Sequence, residues 1–223
     1  MLAQFFTELG DWAPTLAGGL AKTVLLTIAS FPLALVLGLL LAIPRIGKRR
    51  IRLLSIPASI IVELIRGTPL ILQLFYLYYV FPYFGIRLDP FQAAVLGLSI
   101  NYAAYMSEIY RSGIEAIPRS QWEAAEALNM RWRTSMRLVI LPQAIRIVVP
   151  SLGNYLVSLF KDSALASTIS VTELLFAGRM LASESFKYIA IYTVIFVFYF
   201  AISYPAALGV RYLEKRMALS AAR

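Results

Sequence analysis

The sequence predicts an all-α integral membrane protein, a bundle of five transmembrane helices with the N-terminus outside and the C-terminus in the cytoplasm. Of its 223 residues 60% are hydrophobic, and the mean hydropathy is +0.72. One soluble domain could not bury that much apolar surface. The net charge of +9 comes from Lys and Arg residues that cluster beside the apolar runs, which indicates a membrane protein with no nucleic-acid partner. Without a visible linker or repeat, residues 1–223 are expected to form one integral membrane domain.

The composition excludes most familiar enzyme chemistry. The sequence contains no cysteine and no histidine, which disulfides, Cys/His zinc sites and Ser-His-Asp triads require. It also lacks the G-x-x-x-x-G-K-[ST] loop that cradles nucleotide phosphates. We therefore expect no catalytic residue, no metal and no cofactor on this chain.

Five apolar runs are each long enough for the ~20 residues that a membrane helix needs. They cover residues 16–43, 53–84, 90–111, 145–169 and 188–210. Pro44 ends the first run, while Gly67 and Pro69 are expected to break or kink the second near the middle of the membrane. The segment around Glu173, between the fourth and fifth runs, is predicted to be a polar outer loop.

The basic residues predict the orientation. Five of them, from Arg45 to Arg52, follow the first run, six lie in the connector after the third run and four in the C-terminal tail, whereas the two outer loops hold only Arg87, Arg179 and Lys187. Because short loops rich in Lys and Arg stay in the cytoplasm, the first loop, the connector and the tail are expected there.

Polar side chains at helical spacing within the spans predict a substrate path. The candidate residues are Arg66, Asn101, Tyr105, Glu108, Ser158, Lys161 and Asp162. An ionisable side chain at bilayer depth costs about 2.5 kcal/mol or more unless it is paired or faces water. The polar sides of the third and fourth spans should therefore face each other, a partner or a cavity.

A structural interpretation of the same residues is also open. Lys161 could pair with Asp162 or a neighbouring helix, Glu63 with Arg66, and Glu108 with Arg111, because the two glutamate–arginine pairs have i,i+3 spacing. Likewise, Asn101 could make an interhelical hydrogen bond worth about 1 kcal/mol.

Residues 120–129 are predicted to form a short polar helix in the cytoplasmic connector. Ser120 and Glu123 have the spacing of a capping box, and Asn129 tolerates the left-handed conformation that ends a helix. An amphipathic segment lying on the membrane surface would share these features.

The connector resembles the EAA loop of bacterial ABC importer permeases. Glu123-Ala124-Ala125 is followed after three residues by Asn129 and after nine more by Val139-Ile140-Leu141-Pro142. The sequence departs from the family pattern at Asn129, where glycine is usual, and at Val139, where isoleucine is usual. Further matches, which narrow the resemblance to permeases for polar amino acids, lie at 16–27, 66–70, 104–109, 141–144 and 161–163.

The resemblance implies a half-permease of the bacterial cytoplasmic (inner) membrane that crosses the lipid several times. Its implied partners are a second permease copy or homologue, two nucleotide-binding ATPase subunits that hold ATP and Mg, an extracytoplasmic solute-binding protein and an amino-acid substrate. The residues implied in ATPase coupling are Ser120, Glu123, Ala124, Ala125 and Asn129. An ion-coupled secondary carrier and a structural or regulatory membrane protein are the alternative functions.

Overall fold

The computed structural model of the chain describes residues 2–46 and 52–219, and every regular element in those ranges is helical. The α-helices are α1 (Leu2–Ala42), α2 (Arg52–Arg66), α3 (Leu70–Phe75), α4 (Pro90–Glu115), α5 (Arg119–Ala127), α6 (Trp132–Ser135), α7 (Leu141–Asp162), α8 (Leu174–Ser185) and α9 (Tyr188–Leu219). Two π-helical segments, Tyr76–Val80 and Met136–Ile140, follow α3 and α6. The 3₁₀ segments are Ile43–Arg45, Phe81–Phe84 and Ser163–Ile169.

Three helical stretches of the described ranges are each long and apolar enough to cross a membrane: Glu8–Arg45, Trp132–Ile169 and Tyr188–Met217. They contain the predicted first, fourth and fifth spans. The stretches that contain the first and fourth spans begin earlier than predicted. In α1 the added turns are held by packing, because Trp12 and Leu16 are buried against Leu174 and Ile191.

The predicted second span is interrupted, as expected from Gly67 and Pro69. α2 ends at Arg66 and α3 begins at Leu70, so residues 67–69 interrupt the helix. Pro69 disfavours helical backbone at the residue before it, and its own ψ of 138° is extended. Together the two helices are apolar enough for one broken span.

α4 covers the predicted third span, but it is not among the helices that are long and apolar enough to cross a membrane. Ser99, Asn101 and Ser107 lower its hydropathy, and all three are buried. α4 begins with a capping box, in which the Gln92 amide donates to Asp89 at 2.9 Å and the Asp89 amide donates to Gln92 at 3.2 Å. The count of five spans thus stays a prediction.

The prediction of a polar outer loop between the fourth and fifth spans is wrong, because α8 occupies most of that segment. Its buried side is formed by Leu174, Ala177, Gly178 and Ala182. A β-carbon on Gly178 would lie 2.0 Å from Cδ1 of Ile195 on α9, so a larger residue here would require the Ile195 side chain to shift. Two of the charged residues that suggested a loop, Arg179 and Glu184, instead lie on the exposed side of this helix.

The chain folds into two compact units. Unit 1 consists of Met1–Pro32, Thr68–Ser99 and Val157–Ala206, and unit 2 consists of Leu33–Gly67, Ile100–Leu156 and Ala207–Arg223. Each unit has apolar clusters of its own, such as Leu26, Leu74 and Ile169 in unit 1 and Ile117, Met136 and Ile140 in unit 2. α1, α4, α7 and α9 each contribute residues to both units, and the single domain stays a prediction.

Candidate functional site

α5 is the helix predicted in the connector, but the prediction of a capping box formed by Ser120 and Glu123 is wrong. α5 begins at Arg119 with Pro118 as N-cap, and no side chain caps it. Pro118 supplies the extended backbone of the cap position, with φ −53° and ψ 140°. Ser120 is therefore already helical, and its hydroxyl does not occupy the position from which an N-cap side chain accepts the third amide.

The predicted left-handed end of this helix is confirmed. Asn129 has φ 52°, its amide donates to the Glu126 carbonyl at 2.9 Å, and the Met130 amide donates to the Ala125 carbonyl at 3.0 Å. These two bonds form a Schellman motif, which satisfies carbonyls at the end of the helix. Asn129 thus fulfils the conformational role of the glycine in the resembled pattern.

One side of α5 packs against other residues of unit 2, and the opposite side is exposed. Ala125 is buried, and Trp122 packs against the cluster of Ile117, Met136, Ile140 and Ala144. The exposed side includes four of the five predicted coupling residues, Ser120, Glu123, Ala124 and Asn129. It also carries Leu128, which is 76% exposed. Ala125 therefore anchors the helix within its own chain, whereas Ala124 is exposed.

Arg66 and Tyr105, two predicted path residues, lie together in unit 2. The guanidinium carbon of Arg66 lies 5.5 Å from the centre of the Tyr105 ring, within the range of a cation–π contact. The Tyr105 and Tyr155 rings are 5.8 Å apart. Arg66 also forms the predicted pair with Glu63, at 3.7 Å. Asn101 is buried.

Glu108 contacts arginines on both sides. Its carboxylate lies 2.7 Å from Nη2 of Arg111 and forms a second ion pair with Arg45. Arg45 is buried and donates to Ser107 at 2.9 Å and to Ser59 at 3.2 Å. The structure thus contains the Glu108–Arg111 pair of the structural interpretation and adds Arg45, which the sequence placed only in a basic loop.

Ser158, Lys161 and Asp162 lie in the last two turns of α7, within unit 1. Ser158 is half-buried, while Lys161 and Asp162 are exposed. α7 ends at Asp162 and continues as the 3₁₀ segment Ser163–Ile169. The two charges therefore mark the change from α-helix to 3₁₀-helix.

A buried carboxylate that the sequence analysis placed in a loop organises unit 1. Glu173 is fully buried and is the N-cap of α8, where it accepts the Phe176 amide at 2.8 Å and the Leu175 amide at 2.9 Å. The Tyr199 hydroxyl donates to it at 2.9 Å. Thr23 of α1 lies 3.4 Å from its carboxylate and accepts the Leu174 amide at 3.1 Å. Burial raises the pKa of the Glu173 carboxyl above its ordinary value, against the opposing effect of these bonds.

Comparison with known families identifies the chain's family. Residues 34–219 match the family of binding-protein-dependent transport system inner membrane components. The chain belongs to this family. As an inner membrane component it is a multi-pass membrane protein and a subunit of a transporter, which confirms the permease class predicted from the EAA pattern.

Relatives of this inner membrane component match over most of their lengths. The L-cystine transport system permease protein TcyB of Bacillus subtilis (strain 168) is 40% identical over 92% of this chain and 87% of its own length. The probable amino-acid ABC transporter permease protein YckA of the same organism is 39% identical over 92% and 90%.

Solved structures share the fold of this inner membrane component. A crystal structure of an amino acid ABC transporter with histidines superposes with a TM-score of 0.90 at 34% identity, over 95% of this chain and 98% of that one. An inward-facing structure of the MetNI methionine ABC transporter gives a TM-score of 0.70 at 20% identity over 89% and 96%, which supports the fold alone.

Proposed function

We propose that this chain is the membrane subunit of an ATP-driven importer for a polar amino acid, and that two such chains, or this chain and a homologue, enclose the path. The relatives named above as amino-acid or L-cystine permeases support the substrate class. One observation carries the proposal. The EAA segment is a short helix with an exposed face and a closed C-terminal end, in a chain that matches the permease family over residues 34–219.

In the proposed topology the chain crosses the membrane five times, with its N-terminus outside and its C-terminus in the cytoplasm. α4 supplies the third crossing. It has 26 residues, and at 1.5 Å per residue it is about 39 Å long, enough for the ~30 Å hydrocarbon core. The basic residues after α1, around α5 and after α9 support this orientation. It places α5 in the cytoplasm.

We propose that α5 transmits the motion of two ATPase subunits, which hold ATP and Mg. Its exposed side, with Glu123, Ala124 and Leu128, would lie in a groove of one ATPase subunit. Trp122 and Ala125 fix its other side to residues around Ile117 and Ile140, near the end of α4 and the start of α7. Because interdigitated side chains resist deformation, a displacement of α5 would move both longer helices.

The substrate would meet Arg66, whose guanidinium lies over Tyr105. An arginine can bind the α-carboxylate that every amino acid carries, in a bidentate geometry. Asn101, Ser158, Lys161 and Asp162 are further proposed path residues, and an extracytoplasmic solute-binding protein would deliver the amino acid. Since Glu108 already pairs with two arginines, we propose that it stabilises unit 2 and does not bind substrate.

Replacing Glu123 tests the coupling. In vesicles containing the transporter and its ATPase subunits, Glu123→Ala is expected to lower amino-acid-stimulated ATP hydrolysis by roughly tenfold, the effect of about 1.4 kcal/mol lost from the contact. Insertion into the membrane should be unchanged, because Glu123 is exposed.

The matched control is Glu184→Ala, which removes an exposed glutamate from α8 in unit 1. It should leave stimulated hydrolysis at the wild-type level. Wild-type hydrolysis in Glu123→Ala, or equal losses in both variants, would contradict the coupling role.

A further inference from the structure

A pocket of about 1190 Å³ within unit 2 has no part in the proposed transport cycle. α1 contributes Leu40, the following 3₁₀ segment contributes Ile43, α2 contributes Leu54 and Ile61, and the segment 131–134 completes the lining. Small-molecule sites typically measure about 300–1,000 Å³. The pocket is therefore large enough for an elongated ligand.

The walls of this pocket are apolar and open. Leu40 is 60% exposed, Ile43 59% and Leu54 53%, and Pro44 and Pro57 add further apolar surface. A contiguous apolar surface of this kind is stabilised by contact with another apolar surface. Its occupant must consequently have a substantial apolar part.

The segment that completes the lining is cationic. Arg131 and Arg133 line the pocket and are exposed, with Trp132, 51% exposed, between them. Tryptophan and arginine side chains are typical of the boundary between lipid and water. The pocket also lies where the membrane-length stretch Glu8–Arg45 ends and the stretch Trp132–Ile169 begins. Both observations place it at a membrane surface.

We propose that this pocket binds one anionic glycerophospholipid from the surrounding bilayer. An acyl chain would lie along Leu40, Leu54 and Ile61, and the phosphate would lie beside Arg131 and Arg133. A soluble anion would leave the apolar walls uncovered, and an apolar protein helix would leave the two arginines without a counter-charge. An anionic amphiphile satisfies both, and a cytoplasmic leaflet rich in anionic lipid supplies it.

The bound lipid would lie next to the end of α5. Arg131 directly follows Met130, whose amide closes the Schellman motif. The headgroup would therefore contact the backbone segment that leads out of the coupling helix, which gives the membrane's lipid composition a route to that helix.

Fluorescence quenching by brominated lipids tests the proposal, since Trp132 lines the pocket and the chain has only two other tryptophans, Trp12 and Trp122. The full chain carrying Trp12→Phe and Trp122→Phe is placed in vesicles of phosphatidylethanolamine. Brominated phosphatidylglycerol or brominated phosphatidylethanolamine is then added in small amounts. We expect phosphatidylglycerol to quench at a several-fold lower mole fraction.

Variants of Arg131 and Arg133 test whether these two arginines cause the preference for phosphatidylglycerol. Replacing Arg131 and Arg133 by glutamine should weaken the preference for phosphatidylglycerol by about fivefold for each arginine, the effect expected for a basic residue near an anionic headgroup. Arg137→Gln is the matched control, because Arg137 is an exposed arginine of the same connector outside the pocket lining. It should keep the preference. Soluble glycerol phosphate should not compete with the lipid.

Several outcomes would overturn the proposal. Equal quenching by both lipids would show a non-selective lipid surface, and absence of quenching would show that a protein segment or a second copy covers the pocket. Equal losses in Arg137→Gln would assign the selectivity to diffuse charge. If the double tryptophan variant does not fold, native mass spectrometry of the wild-type chain and of the arginine variants counts the retained phosphatidylglycerol instead, with the same expected order.

Discussion

Glu108 in unit 2 and Glu173 in unit 1 are two carboxylates withdrawn from water in different ways. Glu108, with its side chain 19% exposed, has cationic partners in Arg45 and Arg111. Glu173 is fully buried, and it accepts hydrogen bonds from two backbone amides and from the hydroxyls of Tyr199 and Thr23. Charge compensates charge in the first case, whereas neutral dipoles surround the carboxyl group in the second.

These two kinds of partner predict how the stability of each unit changes when its carboxylate is replaced. Loss of a partner from a buried ion pair leaves a charge in a poorly solvated place, which costs more than the loss of neutral hydrogen bonds. Unit 2 should therefore be more sensitive to the charge of its carboxylate, and unit 1 to its hydrogen-bonding atoms.

The largest effect is expected for Glu108→Gln. The substitution keeps the shape but removes the Glu108 charge that pairs with buried Arg45, so the free energy of unfolding should fall by about 3–5 kcal/mol. Reversible unfolding of the purified chain in mixed micelles measures it.

Glu63→Gln is the matched control for this substitution. It breaks the Glu63–Arg66 pair, in which the glutamate side chain is 71% exposed, and should cost less than about 1 kcal/mol. Equal losses in the two variants would refute a special role for Glu108.

A smaller loss is expected for Glu173→Ala. It removes the N-cap of α8 and leaves the partly buried Leu175 amide and the Tyr199 hydroxyl without this acceptor, which should cost about 2–3 kcal/mol. Amide hydrogen exchange should show the loss first at the start of α8. Glu184→Ala, on the exposed side of the same helix, should change neither quantity, and unaltered exchange in Glu173→Ala would argue against the cap.

The smallest effect is a pH dependence of stability that belongs to unit 1. Because burial raises the pKa of the folded Glu173 carboxyl, ionisation costs more in the folded than in the unfolded chain. The stabilising contribution of the protonated form is complete below the ordinary carboxyl pKa and is lost as pH rises through the raised one. As the pH rises, the thermal midpoint of the wild type should therefore fall relative to that of Glu173→Gln. A difference independent of pH would contradict the assignment.

Local patterns explain what the sequence could predict. Apolar runs predicted the three membrane-length stretches, Gly67 and Pro69 the break between α2 and α3, and Asn129 the left-handed end of α5. Each of these depends on residues within one continuous segment of the chain. The Glu108–Arg111 pair, at i,i+3, is of the same kind.

Contacts between distant segments explain what the sequence could not predict. Glutamate is not a favoured N-cap, and Thr23 and Tyr199, whose hydroxyls contact the buried Glu173 carboxylate, are 150 and 26 residues away. Arg45 and Glu108 are 63 residues apart, so Arg45 could not be distinguished from the other arginines of its loop. The capping box at Ser120 failed for a local reason, since Pro118 already supplied the extended residue that a cap requires.

Uptake of labelled amino acids into vesicles tests the proposed function most directly. The chain is reconstituted alone, with the ATPase subunits, and with both the ATPase subunits and the solute-binding protein. We expect uptake only in the last case, only with ATP and Mg, and without dependence on an ion gradient. Uptake by the chain alone that follows an ion gradient and continues without ATP would contradict an ATP-driven importer and favour a secondary carrier.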